Sequence, residues 1–373
     1  MTTDSDILRL RLAQQRIEAT AGPAALDPSR AVERLLALQA QDYPGALWSI
    51  GLRCTPGRTV ADVGHAIAER RIVRTWPMRG TLHFIAAADV RWMLQLLTPR
   101  VLERAKGRRA QLGLDEAVFA RASALFADAL SSGGVCTRDE MMALLEAEGI
   151  SPAGQRGYHI LWTLAQRGLL CFGPPSGKHQ TFVLLDEWIP AADEPPLSPA
   201  EALGRLAGRY LDAHGPATIA DLAWWAGITK SEAHAGIGAI AHTLQRLQAG
   251  GAEYWLPAGV PTGDVARKAA GRVHLLPGFD EYQLGYTDRS LQLGTNREAY
   301  GATVSANGMF SATVVRGGRV VGTWKRTFKR GRVDIVVREF SPMSATGRHE
   351  VLRAAQRYGD FVGLEPRVDW QLA

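Results

Sequence analysis

The sequence predicts an α+β protein: three tandem winged-helix modules followed by a small C-terminal β-barrel or meander. Three observations predict it. A pattern of helix, turn, helix and β-hairpin runs through the chain three times. After Arg272 the apolar period changes from helical to two, the spacing of strands. The length, 373 residues, accommodates several domains at roughly 100 to 200 residues each. The expected divisions are a first module at 1–86, a helical connector at 87–130, a second module at 131–186, a third at 187–260 and the β-rich tail at 261–373.

In chain order, Asp27 before Pro28 is an N-cap and first-turn pair that starts a helix through Leu36. Thr59 and Asp62 cap the next helix, and IVRTW, PMRG and TLHFI read as a hairpin. Ala88 to Leu130 is helical. The second copy opens with a capping box at Thr137 and Glu140, ahead of Met141, Leu144 and Leu145. A second helix, about 155–167, puts Ile160, Leu161 and Leu164 inward and ends at Gly168, and LLCF and QTFVLL are the strands after it. A Pro-rich acidic linker, Asp186 to Pro199, leads to the third copy. There Thr218 with Asp221 and Thr229 with Glu232 open two helices separated by Gly227, and TLQRLQ with EYWLP supplies the hairpin. In the tail, RVHLLPGF, FSATVVRGGRVVGTWKRTF and RVDIVVREF are strands, Gly317-Gly318 is a hairpin turn, and a helix near 347–361 closes the domain.

Hydrophobic residues make up 46% and charged residues 21%, which excludes wholesale disorder and a membrane protein. Forty-three Lys and Arg against 37 Asp and Glu give a net charge of +6 and point to an anionic partner. The charge is concentrated. Within the connector, the stretch 100–109 sets Arg100, Arg104, Lys106, Arg108 and Arg109 against Glu103 alone, and residues 312–340 hold eight cations (Arg316, Arg319, Lys325, Arg326, Lys329, Arg330, Arg332, Arg338) against Asp334 and Glu339. On the second copy's recognition helix Arg156, His159 and Arg167 are further DNA-binding candidates. Cys54, Cys136 and Cys171 are too scattered for a zinc site and fit a reducing cytosol. No secretory leader or membrane span is read, and the expected location is the cytoplasm. No metal cluster, P-loop, dinucleotide fingerprint or Ser/His/Asp spacing appears, and no cofactor is expected.

Gln39-Ala40-Gln41 is the sharpest local feature. Helical spacing from Val32 and Leu36 puts Gln39 on the apolar face, where an unbonded amide costs about 1 to 3 kcal/mol. Residues two apart on a helix point about 200° apart. Both amides therefore serve one site only if the helix distorts or ends, as Pro44 and Gly45 suggest; otherwise they are two helix-end amides.

The segments LLALQAQDYPGALWSIGLR, RTWPMRGTLHFI, GPATIADLAWWAGI, LLPGFDEYQLGYTDR and GRVVGTWKR, taken together, resemble the AlkZ/YcaQ family of winged-helix DNA glycosylases over nearly the whole chain. The resemblance implies tandem winged helices forming a concave basic cradle, a C-terminal β-barrel, and release of N7-alkylated purines, including some interstrand crosslinks. It also implies a catalytic Gln, apolar residue and second Gln, matched by Gln39, Ala40 and Gln41. The YcaQ branch has Asp in place of the second Gln, so the chain is AlkZ-like. An N7-alkylated purine leaves as a neutral base without a general acid, so amides that hold water and face the sugar cation suffice.

Trp76, Arg79 and His83 in the family-like RTWPMRGTLH are DNA-binding candidates, and Asp280, Tyr282 and Arg289 in FDEYQLGYTDR are candidates for lining the cradle, or an Asp-to-Arg structural pair. The expected partner is double-stranded DNA with alkylated purines, and three modules on one chain suit a monomer. The alternatives are a non-catalytic winged-helix regulator and a resistance protein that sequesters a bulky drug.

Overall fold

The structure is a computed structural model that describes residues 2–18, 26–190, 195–262, 272–294, 301–304 and 308–372. Part of the acidic linker, 191–194, lies outside the described residues. The chain divides into two compact units, Met1–Val63 with Leu203–Ala373, and Gly64–Ala202. Among the described residues no helix is long and apolar enough to cross a membrane.

In the Gly64–Ala202 unit, local sequence signals set most of the element ends. Thr137 and Glu140 form the expected capping box and start Arg138–Ala147, and the following helix, Arg156–Gln166, ends before Gly168 at φ +85°. The strands of this unit run in the order Thr81–Ala86, Ile72–Met78, Leu170–Phe172, Thr181–Leu184, Cys136–Thr137, with antiparallel neighbours. Their apolar face packs with Phe119, Phe126, Met141, Ile160 and Leu164 into one core. The connector is helical as expected, in three pieces: Ala87–Arg104, Lys106–Gln111 and Glu116–Leu130.

The other unit is assembled from both ends of its sequence. Capping boxes at Thr218 with Asp221 and Thr229 with Glu232 start Ile219–Ala226 and Lys230–Ala239, and Gly227 separates them in the left-handed conformation at φ +70°. The strands Leu244–Ala249 and Ala252–Pro257 then pair antiparallel. Five further strands make a sheet in the order Val273–Leu276, Thr313–Arg316, Arg319–Lys329, Arg332–Glu339, Glu365–Leu372. The first four form an antiparallel meander with Gly317-Gly318 at one turn, and the last returns parallel after the helix Ala345–Val362.

The expected barrel is corrected by this sheet, which is open. Its edge strands, Val273–Leu276 and Glu365–Leu372, do not pair with one another. The helix Ala345–Val362 packs against both of them. An apolar sheet face covered by a helix has no need of closure. Beneath that helix Trp48 meets Tyr358 and Phe361 with ring centroids 5.1 and 5.2 Å apart, and its Nε1 donates to the Leu275 carbonyl at 2.7 Å. A side chain at Gly51 could not be accommodated, since a Cβ there would stand 2.3 Å from the Phe361 ring. This contact fixes the helix Tyr43–Arg53, and with it the residues just before it.

Candidate active site

The helix started by Asp27 and Pro28 ends at Leu35. Leu36 adopts φ +65°, a conformation that ends helical hydrogen bonding, and Ala37–Gln39 is extended. Gln39 is thus on a strand and not on a helix face. In extended chain, side chains two apart point to the same side. Gln39 Nε2 accordingly donates to Gln41 Oε1 at 3.0 Å. Gln39 is buried and Gln41 exposed, so the pair runs from interior to surface. Gln39 Oε1 is buried and has no hydrogen-bond partner among the described residues. Pro44, read as a helix stop, instead occupies the first turn of Tyr43–Arg53, where a missing N–H costs nothing.

Two buried carboxylates underlie this strand. Glu281 Oε1 accepts the Gln39 backbone N–H at 3.1 Å, while Oε2 accepts Trp225 Nε1 at 2.8 Å and lies 3.5 Å from His214 Nε2. His214 stacks on Tyr210 at 4.8 Å and 10°. Asp280 binds Arg53 through two oxygens, each 2.8 Å from a guanidinium nitrogen, and also accepts Ser49 Oγ at 2.7 Å. Arg53 reaches on to Gln15 Oε1 at 2.9 Å. A carboxylate buried this way is retained only with such partners. The candidate cradle residues are therefore corrected. Asp280 and Tyr282 are 1% and 0% exposed and line no surface; Asp280 pairs with Arg53, and Tyr282 donates to the Gly318 carbonyl at 2.7 Å. Arg289 is also buried, donating to the Gln283 carbonyl and lying over Trp224 and Phe310.

The DNA-binding candidates separate by burial. Trp76 packs on Phe172 at 5.0 Å inside its unit, and His83 is fully buried with Nδ1 2.9 Å from the Thr81 carbonyl; neither offers a surface contact. Arg79 is half-buried at the hairpin turn, at φ +54°. Arg100 is half-buried, and Arg104, Lys106 and Arg108 are exposed, Lys106 3.7 Å from Glu103 and Arg108 donating to Gln155 at 2.9 Å. Arg109 is half-buried over Phe119, its guanidinium pushed below its ordinary value by burial and then by Arg167. Arg156 donates to the carbonyls of Ser151, Leu112 and Gly113 and ties down the start of its helix. His159 is held below the usual imidazole range by burial first and by Arg108 and Arg109 next.

In the other unit Arg319, Lys325, Lys329 and Arg330 are exposed and Arg316 half-buried. Lys329 pairs with Asp334 at 3.0 Å and Arg326 with Asp42 at 3.0 Å. The Cys54 and Cys171 thiols, pushed up to about 12 by burial, are not nucleophiles at neutral pH.

The geometry is that of paired amides at a surface, held from beneath, in a chain with concentrated positive charge. The model of the AlkZ-like DNA glycosylases matches residues 32–361. The chain belongs to the AlkZ-like DNA glycosylase family. A curated Streptomyces sahachiroi protein named interstrand DNA cross-link repair glycosylase is 30% identical over 330 residues, covering 84% of this chain and 85% of its own. The solved structure of Streptomyces sahachiroi DNA glycosylase AlkZ is similar with a TM-score of 0.82 and 26% identity, over all of both chains. This AlkZ-like protein is a DNA glycosylase, and its substrate is DNA. Glu281, which holds the Gln39 backbone, and Arg53, which holds Asp280, are residues around the candidate site that sequence reasoning missed. The one available signal is the adjacent acid pair inside the apolar run LLPGFDEYQL, since neighbouring buried carboxylates require dedicated partners.

Proposed function

We propose that this glycosylase releases cationic N7-alkylated purines from double-stranded DNA, with Gln39 and Gln41 as its catalytic residues. The observation that carries the reading is the amide pair, joined at 3.0 Å, with a buried Gln39 Oε1 left unpartnered. An unbonded buried acceptor costs about 1 to 3 kcal/mol, and a water or a developing cation recovers that cost. The amide oxygens orient the water and face the oxocarbenium-like sugar. Neither glutamine donates a proton at neutral pH, so the leaving base must bring its own positive charge. Neither offers an amine for a Schiff base, so the product is an intact abasic strand. The expected rate is nearly flat from about pH 6 to 9, where no ionisable catalytic group changes charge. The tandem helix-and-hairpin stretches act in this reading as winged helices that hold the duplex, with the protein working as a monomer. The Streptomyces sahachiroi relative is named for interstrand DNA cross-link repair, which supports reading crosslinked DNA as a further substrate.

The test is a set of duplexes carrying N7-methylguanine, uracil or 8-oxoguanine, with free base measured before alkali and strand breaks after it. Release confined to N7-methylguanine is expected. Efficient uracil removal would mean that an ionisable acid, and not the amide pair, drives the chemistry. Binding without any base release would favour the regulator.

A further inference from the structure

The five-stranded sheet has two faces in different company, and side chains alternate between them along each strand. Trp324 belongs to the face covered by the helix Ala345–Val362, its ring centroid 5.2 Å from that of Tyr358. Thr323 and Lys325 therefore lie on the other face. The register Thr323↔Arg338, Lys325↔Val336 and Arg338↔Gln371 adds Arg338, Val336 and Gln371 to it. All five line a cleft of about 660 Å³, within the roughly 300–1,000 Å³ of small-ligand sites. Lys325 and Arg338 are exposed, and among the described residues neither side chain is engaged by a hydrogen bond or an ion pair. Asp42, the one acid on this lining among the described residues, is already held by Arg326 at 3.0 Å. The cleft thus keeps an excess of positive charge.

The same lining carries two aromatic rings. Phe279 and Phe310 are half-buried, with centroids 6.1 Å apart at 53°, and Arg289 backs Phe310 with its guanidinium 5.0 Å from the ring. Gly278 lets the two segments close on each other, since a Cβ there would stand 2.7 Å from the Phe310 carbonyl oxygen. Phe279 itself adopts φ +60°, a conformation strained for a bulky residue and open to glycine. A glycine at this position would turn the chain into Asp280 without the strain. What the strain retains is a ring at the cleft.

Exposed cations alone would suit the phosphates of any duplex, but rings beside them select for bases whose faces are uncovered, as they are in single strands. We propose that this cleft binds an unpaired nucleotide of the DNA on which the glycosylase acts, its base stacked on Phe279 and its phosphates held by Lys325 and Arg338. Neither glutamine is on the lining, and the site stands whatever their role.

The experiment is fluorescence anisotropy with short labelled strands free of alkylated bases: a thymidine oligonucleotide, and a strand of equal length made of abasic sites, which has the phosphates and no rings. The thymidine strand should bind the protein about 5-fold to 100-fold more tightly. Phe279→Leu keeps an apolar side chain without a ring and should erase most of that preference, whereas Phe279→Tyr should retain it. Arg338→Gln, at an exposed position, should leave Tm near the parent, weaken both strands alike and flatten the log-log dependence of affinity on salt by roughly 0.7. Equal affinity of the parent for the two strands would overturn the proposal, and so would a parental preference in Phe279→Leu. Thymidine monophosphate should compete only far above the concentrations at which the strand does. Displacement by it as efficient as by the strand would overturn the proposal in favour of a free nucleotide.

Discussion

The segment bearing the glutamines and the hairpin formed by Arg319–Lys329 and Arg332–Glu339 belong to the same compact unit and are built on opposite terms. Residues 37–40 are buried, and the Gln39 backbone is tied to Glu281, itself fully buried. The hairpin presents Lys325, Lys329 and Arg330 to solvent, with ion pairs that water screens. Groups that must meet a reacting atom are placed by desolvated, directional bonds, whereas groups that attract a polyanion need only charge and reach. Substitutions in the two regions should therefore fail differently.

The largest effect is expected at the amides. Gln39→Ala and Gln41→Ala should each lower single-turnover base release by about 10-fold to 1,000-fold, with duplex affinity nearly unchanged. A parallel loss of affinity would erase the contrast with the hairpin.

Next in size is the support beneath the strand. Glu281→Ala leaves two buried donors, the Gln39 N–H and Trp225 Nε1, without their carboxylate, at a cost of roughly 1 to 3 kcal/mol for a stranded group. Thermal unfolding should show it as a drop of about 2–4 °C per kcal/mol, together with slower release at full saturation. An unaltered Tm would show that the strand is held by other bonds.

The smallest effect belongs to the hairpin. Removing Lys325 or Arg330 by alanine should flatten the log-log dependence of duplex affinity on salt by roughly 0.9 for each phosphate that the variant no longer neutralises. That is about 3-fold in affinity between roughly 50 and 200 mM salt. A slope that does not change in either variant would mean that the grip lies elsewhere, with Arg104, Lys106 and Arg108 of the other unit as the remaining exposed candidates.

The elements legible in the sequence are those whose signals are local. Thr137 with Glu140, Thr218 with Asp221 and Thr229 with Glu232 each close a box within four residues, and no distant contact is needed to set them. Gln39 is the opposite case. Val32, Leu36 and Gln39 keep helical spacing, yet Leu36 turns to φ +65° and the chain extends, because the segment is held by Glu281, 242 residues away. Asp280 is readable as one half of an ion pair, but Arg289, nearer in sequence, competes with the true partner Arg53, 227 residues off. Trp76 and His83 lie in a motif-like hairpin, and nothing in their spacing shows that both side chains turn inward. The difference between a barrel and an open sheet depends on whether the last strand meets the first, which alternation along a strand does not report.

The split composition of the larger unit, Met1–Val63 with Leu203–Ala373, has a consequence for biosynthesis. The segment with the glutamines leaves the ribosome early, and the carboxylate that holds the Gln39 backbone follows 242 residues later. At about 5–20 residues per second that interval is roughly 10 to 50 s. Throughout it the Gln39 backbone N–H lacks its native acceptor, the Glu281 carboxylate. The intervening segment Gly64–Ala202 carries its own core and can close first, so the nascent chain holds one folded body and one waiting arm. The proposed reaction centre is thus among the last parts to form, and a chain stalled before Glu281 carries both glutamines without the bond from the Gln39 backbone to Glu281.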